Sequence, residues 1–167
     1  MTDQVQLRPA RTGDVPTVRG LVDTYAPERR LLSKATVTLY EDVQEFLVAE
    51  LDGLVVGCGA VHVMWEDLAE VRTLAVSPSV RGRGVGSLLL EGLLARARAL
   101  GVKRVFCLTF ETDFFGRHGF VEIEGAPVDH DVFEQLLQSY DEGVAEFLDL
   151  ERVKPNTLGN HRMLLVL

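Results

Sequence analysis

"VRGRGVGS", residues Val80–Ser87, packs three glycines and two arginines into eight residues. It lies between an apolar run, "EVRTLAV" (Glu70–Val76), and a long helical pattern, "SLLLEGLLARARALG" (Ser87–Gly101). A slack linker would account for the glycines, but not for the arginines or the apolar order on both sides. The order is strand, turn, helix. A helix N-terminus leaves backbone N–H groups unpaired and carries a partial positive charge. Glycines let such a backbone approach an anion closely. The stretch therefore reads as an anion cradle. Two familiar glycine patterns fail here. The P-loop needs a lysine directly after a glycine, and none follows one. The dinucleotide fingerprint needs a glycine at the sixth position, which is Ser87 counted from Gly82 and Leu89 counted from Gly84. What remains is Arg-x-x-Gly-x-Gly at Arg81, Gly84 and Gly86. The competing reading, a plain turn with a glycine-eased helix start, leaves Arg81 unexplained.

The rest of the chain limits what the anion can be. With 167 residues it suits one domain, 1–167, large enough for a sizeable core. A net charge of −8 repels nucleic acid and anionic membranes, so neither is expected as a partner, and any anion site must be a local cationic island. The two cysteines, Cys58 and Cys107, have no disulfide-framework spacing, which points to a reduced, cytoplasmic setting. The N-terminus has no apolar core of a signal peptide, and the longest apolar run, "LVVGCGAVHVMW" (Leu54–Trp65), is too short for a membrane span.

Around the cradle the periodicity predicts a mixed, mostly antiparallel sheet covered by helices, an α/β (α+β) fold. "VQLRPA" is a first strand. A helix capped by Thr12 or Asp14 follows, with Val15, Val18, Leu21, Val22 and Tyr25 inward. "LYEDVQE" is a short helix. "FLVAEL" and "LVVGCGAVHVMW" form a hairpin at Asp52-Gly53. The helix after the cradle runs from about Gly84 to Leu100, with Leu88, Leu89, Leu93, Leu94 and Ala97 inward and Gly101 as its stop. "RVFCLTF" is a strand, "DFFGRHG" a short helix and "FVEIEG" a strand. Residues 129–150 are helical, interrupted near Gly143, and "RMLLVL" is the last strand.

"LAVSPSVRGRGVGSLLLEGLLARARALG" resembles the acetyl-CoA-binding segment of the GCN5-related N-acetyltransferases, whose signature is [QR]-x-x-G-x-[GA], and "FFGRHGF" looks like the segment after that family's fifth strand. The resemblance implies that the loop Arg81, Gly82, Arg83, Gly84, Val85, Gly86 and Ser87 holds the CoA pyrophosphate. It also implies that the preceding strand, Leu74, Ala75 and Val76, bonds the pantetheine. "VAELDGLVVGCGAVHV", "EVRTLAVSP" and "VFCLTFETDFFGRHGF" are further similar to bacterial amino-acid N-acetyltransferases, the N-acetylglutamate synthases of arginine biosynthesis, and to the short single-domain versions of actinobacteria. The kinase-like domain of the longer enzymes has no room here, which puts feedback by arginine through that domain in doubt. Dimers are common in the family, and the last strand could form a shared edge.

The chemistry so implied is acetyl transfer from acetyl-CoA to the α-amine of L-glutamate, or of L-glutamine. Such an amine is largely protonated near neutral pH, so a base is useful. Glu70, opening the strand that leads to the cradle, matches the family's general base, with Asp67 and Glu66 as neighbouring fallbacks. An oxyanion would meet a backbone N–H near Leu74. Many relatives carry a tyrosine as general acid where this chain has Phe114 and Phe115, which cannot donate a proton. Thr109 stands where the glutamate synthases tend to carry a serine, and it could orient a water or protonate the thiolate. A strand threonine with a satisfied hydroxyl is the equal alternative. A dicarboxylate acceptor calls for cations. Candidates are Arg29, Arg30 and Lys34 in the loop after the first helix, and Arg72, two residues from Glu70 and so on the same strand face. Lys154, Asn156, Asn160 and Arg162 near the C-terminus complete the set. No metal is expected: Cys58 and His62 share a strand face, but two ligands do not make a site. Two other readings compete, an acetyltransferase for another small amine or a protein amine, and a non-catalytic acyl-CoA-binding sensor.

Overall fold

The computed structural model describes residues 4–25, 35–154 and 159–167. Its strands are β1 (Gln6–Pro9), β2 (Phe46–Leu51), β3 (Leu54–Trp65), β4 (Leu68–Val76), β5 (Arg104–Thr109), β6 (Val121–Glu122) and β7 (His161–Val166). The helices are α1 (Val15–Tyr25), α2 (Thr36–Glu41), α3 (Val85–Ala99), α4 (Thr112–Arg117), α5 (His130–Leu136) and α6 (Glu142–Phe147). The seven strands follow the order β1-β2-β3-β4-β5-β7-β6. All registered pairs are antiparallel except β4 with β5. This is the mixed, mostly antiparallel sheet that the strand and helix periods predict. Among the described residues no helix is long and apolar enough to cross a membrane.

The chain divides into two compact units, Met1–His62 with Thr73–Arg96, and Val63–Arg72 with Ala97–Leu167. In the first, the β2–β3 hairpin turns at Asp52 and Gly53, whose φ of 52° and 78° give the doubly left-handed turn that Asp-Gly favours. The two faces of β3 have different tasks. Cys58 and Ala60 pack with Val15, Val18, Leu21, Val22 and Leu39 in one core cluster. The alternate residues, Gly57 and Gly59, meet α3. A Cβ at Gly57 would lie 2.9 Å from Leu89 Cδ1, and one at Gly59 would lie 2.8 Å from Leu93 Cδ1. Two glycines on one strand face thus let a leucine-rich helix settle close to the backbone.

The inward face of α3 differs slightly from expectation. Leu89, Leu90, Leu93, Leu94 and Ala97 are buried, while Leu88 is only half-buried. Tyr25, expected inward on α1, is part-buried, and its hydroxyl donates to the Val76 carbonyl.

In the second unit, β5 pairs in parallel with the start of β4, from Leu68↔Arg104 to Glu70↔Phe106, and antiparallel with β7. Met64, Leu68, Phe106, Leu136, Val144, Phe147 and Leu148 form its core, with the Phe106 and Phe147 rings edge-on at 5.0 Å. The helical stretch expected across 129–150 is two short helices. The break falls at 137–141, and Gly143 lies inside α6 rather than at the interruption. The strand expected at "FVEIEG" shrinks to Val121–Glu122, which register with Leu164 and Met163 of β7, and Ile123 adds one further backbone bond to the Arg162 carbonyl at 2.8 Å.

Candidate active site

The cradle lies in the first unit. After β4 the chain makes a tight turn at Pro78–Val80, capped by Ser77, and enters α3 through Arg81–Gly84. Gly82 and Gly84 have φ of 78° and 77°, and a Cβ on either would meet nothing within 4 Å. Glycine is needed here for backbone conformation, not for room. Arg81, Gly82, Arg83 and Gly84 are exposed, Val85 is buried, and Gly86 and Ser87 are half-buried. The first helical donor with a partner one turn back is Leu88, bonded to the Gly84 carbonyl at 3.0 Å. At a helix head the first backbone N–H groups, here those of Val85 and Gly86, precede any helical carbonyl, so they present donors and a partial positive charge. An open, left-handed glycine pair at the head of a 15-residue helix fits a pyrophosphate. Of the strand before it, Leu74 and Val76 are half-buried and Ala75 is buried.

Thr73 interrupts β4 with φ of 57°, a costly conformation for a buried β-branched residue, and its carbonyl accepts the Cys58 thiol at 3.5 Å. No sequence pattern announces it, because nothing in "VRTLA" resembles a bulge signal.

The second unit gathers the remaining described candidates. Glu70 is buried and ends the registered parallel ladder with β5. Arg72 shares its face, as the two-residue spacing predicts: Nε and Nη2 lie 3.3 and 3.5 Å from the Glu70 carboxylate. Arg72 is also held bidentately by Asp141, at 2.8 and 2.7 Å. Thr109 closes β5, buried, with its hydroxyl oxygen accepting the Glu111 N–H at 2.8 Å. Its register partner is His161 of β7, and Asn160 directly precedes that strand. Among the described residues, Asn160 Oδ1 is buried with no hydrogen-bond partner.

Arg162 is placed differently from an acceptor ligand. Its nitrogens donate to the Gly125 carbonyl at 3.0 Å, to Glu146 O at 3.0 Å and to Phe147 O, and its guanidinium lies over the Phe106 ring. Burial pushes its pKa down, opposed by the charges of Asp149, Glu70 and Glu146. The fallback Asp67 pairs with Arg104 at 3.2 Å. Lys154 pairs with Glu151. Arg29, Arg30, Lys34 and Asn156 lie outside the described residues.

Burial, and secondarily the Glu70 charge, pushes the Cys107 thiol well up, so it stays neutral. Phe115 is buried edge-on between Phe114 and Phe120, as apolar packing. Among the described residues there is no group of three or more His, Cys, Asp or Glu suited to a metal ion.

Asp141 and Gly143, which turn out to shape the Glu70 surroundings, escaped the sequence reading. They lie some seventy residues from Glu70 in sequence, and nothing local marks a partner that distant.

The chain is similar to several known proteins. Over 164 residues the chain is 62% identical to an amino-acid acetyltransferase of Mycobacterium tuberculosis, covering 96% of this chain and 94% of the relative. A Neisseria meningitidis amino-acid acetyltransferase is 34% identical over 118 residues, but the match spans 70% of this chain and only 27% of that relative. A crystal structure from M. tuberculosis in complex with CoA superposes with a TM-score of 0.94 at 61% identity, covering 97% of this chain and 99% of that one. N-acetylglutamate synthase from Neisseria gonorrhoeae, complexed with coenzyme A and N-acetyl-glutamate, gives 0.79 at 25% identity over 100% of this chain and 36% of that chain. Residues 17–120, holding both the glycine cradle and Glu70, match the acetyltransferase (GNAT) family, and the chain belongs to that family.

Proposed function

We propose that this protein is an amino-acid N-acetyltransferase, moving acetyl from acetyl-CoA to the α-amine of L-glutamate. The observation that carries the reading is a single strand: β4 bears a buried carboxylate, Glu70, and runs on into the open glycine cradle at the head of α3. The identity to the M. tuberculosis amino-acid acetyltransferase supports the same chemistry. N-acetyl-glutamate in the N. gonorrhoeae structure supports the acceptor. Glutamine is the nearest competing acceptor. The cytoplasm and the first step of arginine biosynthesis are the corresponding setting.

The residues divide the work. Backbone N–H groups of the loop 81–87 bind the pyrophosphate, with Arg81 adding charge. Glu70 takes a proton from the acceptor ammonium, through a water where the distance requires it. The freed amine forms a C–N bond to the thioester carbonyl carbon. The C–S bond then breaks, the sulfur leaves with the electron pair as thiolate, and the proton that the nitrogen sheds as the amide forms passes to that thiolate to give free CoA. A thiol with a pKa near ~8.5 is a good enough leaving group for Thr109 to assist rather than be essential. Asn160 Oδ1, a buried acceptor with no partner among the described residues, suits an N–H of the amino-acid acceptor. The acceptor carboxylates are assigned to Arg29, Arg30 and Lys34, since Arg162 is already committed to backbone carbonyls.

The test is CoA release from acetyl-CoA across a panel of amino acids and amines. Turnover with L-glutamate or L-glutamine is expected. Turnover with lysine or polyamines but not glutamate sinks the acceptor assignment, and CoA binding without turnover of any amine sinks the enzyme reading in favour of a sensor.

A further inference from the structure

A carboxylate serves as a base only when it is not locked. Tight pairing with arginine lowers a carboxyl pKa by roughly one to three units and weakens it as a base. Arg72 is the cation placed to do this to Glu70, yet the distances run the other way. Its terminal nitrogens lie 2.8 and 2.7 Å from the two Asp141 oxygens. Its approaches to Glu70, 3.3 and 3.5 Å, exceed those of strong charge-assisted bonds.

Two further features hold the guanidinium at Asp141. The Asp141 Oδ1 also accepts the Val144 N–H at 3.0 Å, as the N-cap of α6, so the carboxylate is fixed in place. A Cβ at Gly143 would lie 2.7 Å from Arg72 Cζ, so only glycine lets the guanidinium rest against the first turn of α6.

We propose that Asp141 is a positioning residue for the base: by drawing Arg72 toward α6 it leaves the Glu70 carboxylate available to take the acceptor's proton. This rests on the reading of Glu70 as the base. Glu70 faces Arg72 from its own strand, Asp141 from α6, and Cys107 on β5 and Arg162 on β7 through its charge; Glu146 and Asp149 act on it through Arg162. Cys107 stays neutral and Arg162 cationic over the working range, so Arg72 and Asp141 are the adjustable pair.

The experiment is the pH dependence of kcat/KM in the full protein and four variants. Asp141→Asn keeps the cap and the shape but removes the anion, and Arg72 then closes on Glu70. The acid limb moves to lower pH by about one unit, and the plateau falls about threefold to tenfold as the base weakens. The KM for acetyl-CoA is unchanged. Arg72→Gln removes the cation and moves the limb to higher pH. Gly143→Ala displaces the guanidinium toward Glu70 without changing any charge, and moves the limb in the direction of Asp141→Asn. General damage to the structure does not produce limb shifts of opposite sign, and the limb from the acceptor's own ammonium is common to all forms. Limbs that stay in place in these three variants overturn the proposal, as does a loss of rate that only tracks a lowered melting temperature. Glu70→Gln separates the two levels: loss of the limb there retains the base, and a limb identical to wild type overturns the base assignment itself.

Discussion

Gly84 shows how one residue can matter without touching anything. Its φ of 77° lies where an L-residue is strained by roughly 1–2 kcal/mol, while a methyl group there would meet open space. Gly84→Ala therefore has a cost confined to the backbone. Stability should fall by about 1 kcal/mol, and the KM for acetyl-CoA should rise about tenfold as the cradle relaxes toward ordinary φ. Steady-state kinetics with each substrate varied in turn checks this, and a rise in the acceptor KM instead would move the loop out of cofactor binding. Thr73 is the opposite case. It adopts left-handed φ without being glycine, and so leaves no trace in the sequence. The glycine loop was legible because its requirement is local, one residue type for one backbone angle. The Thr73 conformation was not, because a threonine carries no local signal for a left-handed φ.

At the scale of elements, Arg162 ties β7 to the end of α6 and to the loop at Gly125. The sequence offered it as a ligand for carboxylate, since a lone arginine in a polar C-terminal stretch has no visible partner. Carbonyls exposed at a helix end are that partner, and they appear only once α6 folds. Arg162→Ala should leave these carbonyls unpaired and cost about 2–4 kcal/mol, measured by denaturant unfolding. Arg162→Lys should not restore it, because an ammonium cannot span the same fork. A stable Arg162→Ala protein with a raised acceptor KM would return Arg162 to substrate binding. The α3–β3 contact was half legible. The apolar stripe of α3 could be read from its period, but the alternation Gly57, Cys58, Gly59 could not be assigned to a close helix approach without knowing which helix covers that face.

Across the whole molecule, charge sets a pH limit on the fold. Asp14 is bonded by Arg8 at 2.8 and 2.9 Å and accepts the Arg11 N–H at 2.7 Å, and the Arg8 guanidinium holds its carboxyl below the usual range. A carboxyl with a depressed folded pKa contributes stability above its unfolded value of ~3.9, and that contribution is lost as pH falls through the folded value. Asp14→Asn should be less stable than wild type by about 1 kcal/mol near neutral pH, with the difference shrinking as the pH falls below the usual carboxylate range and through the depressed folded value. Thermal unfolding at a series of pH values checks this. A constant difference down to acid pH would show that the carboxylate charge is not what Arg8 holds.

The sequence by itself determined the sheet-and-helix composition, the Asp52-Gly53 hairpin, the open glycine loop at Arg81–Gly86 and the shared strand face of Glu70 and Arg72. Each of these depends on residues close together in the chain, where period, turn chemistry and glycine freedom act directly. Only the tertiary structure decided that Arg72 leans on Asp141, that Gly143 makes room for it, that Arg162 serves backbone carbonyls and that the Asn160 side-chain oxygen is buried. A charged side chain takes its partner from whatever the fold brings within about 3 Å, and that choice is not written in the residues beside it.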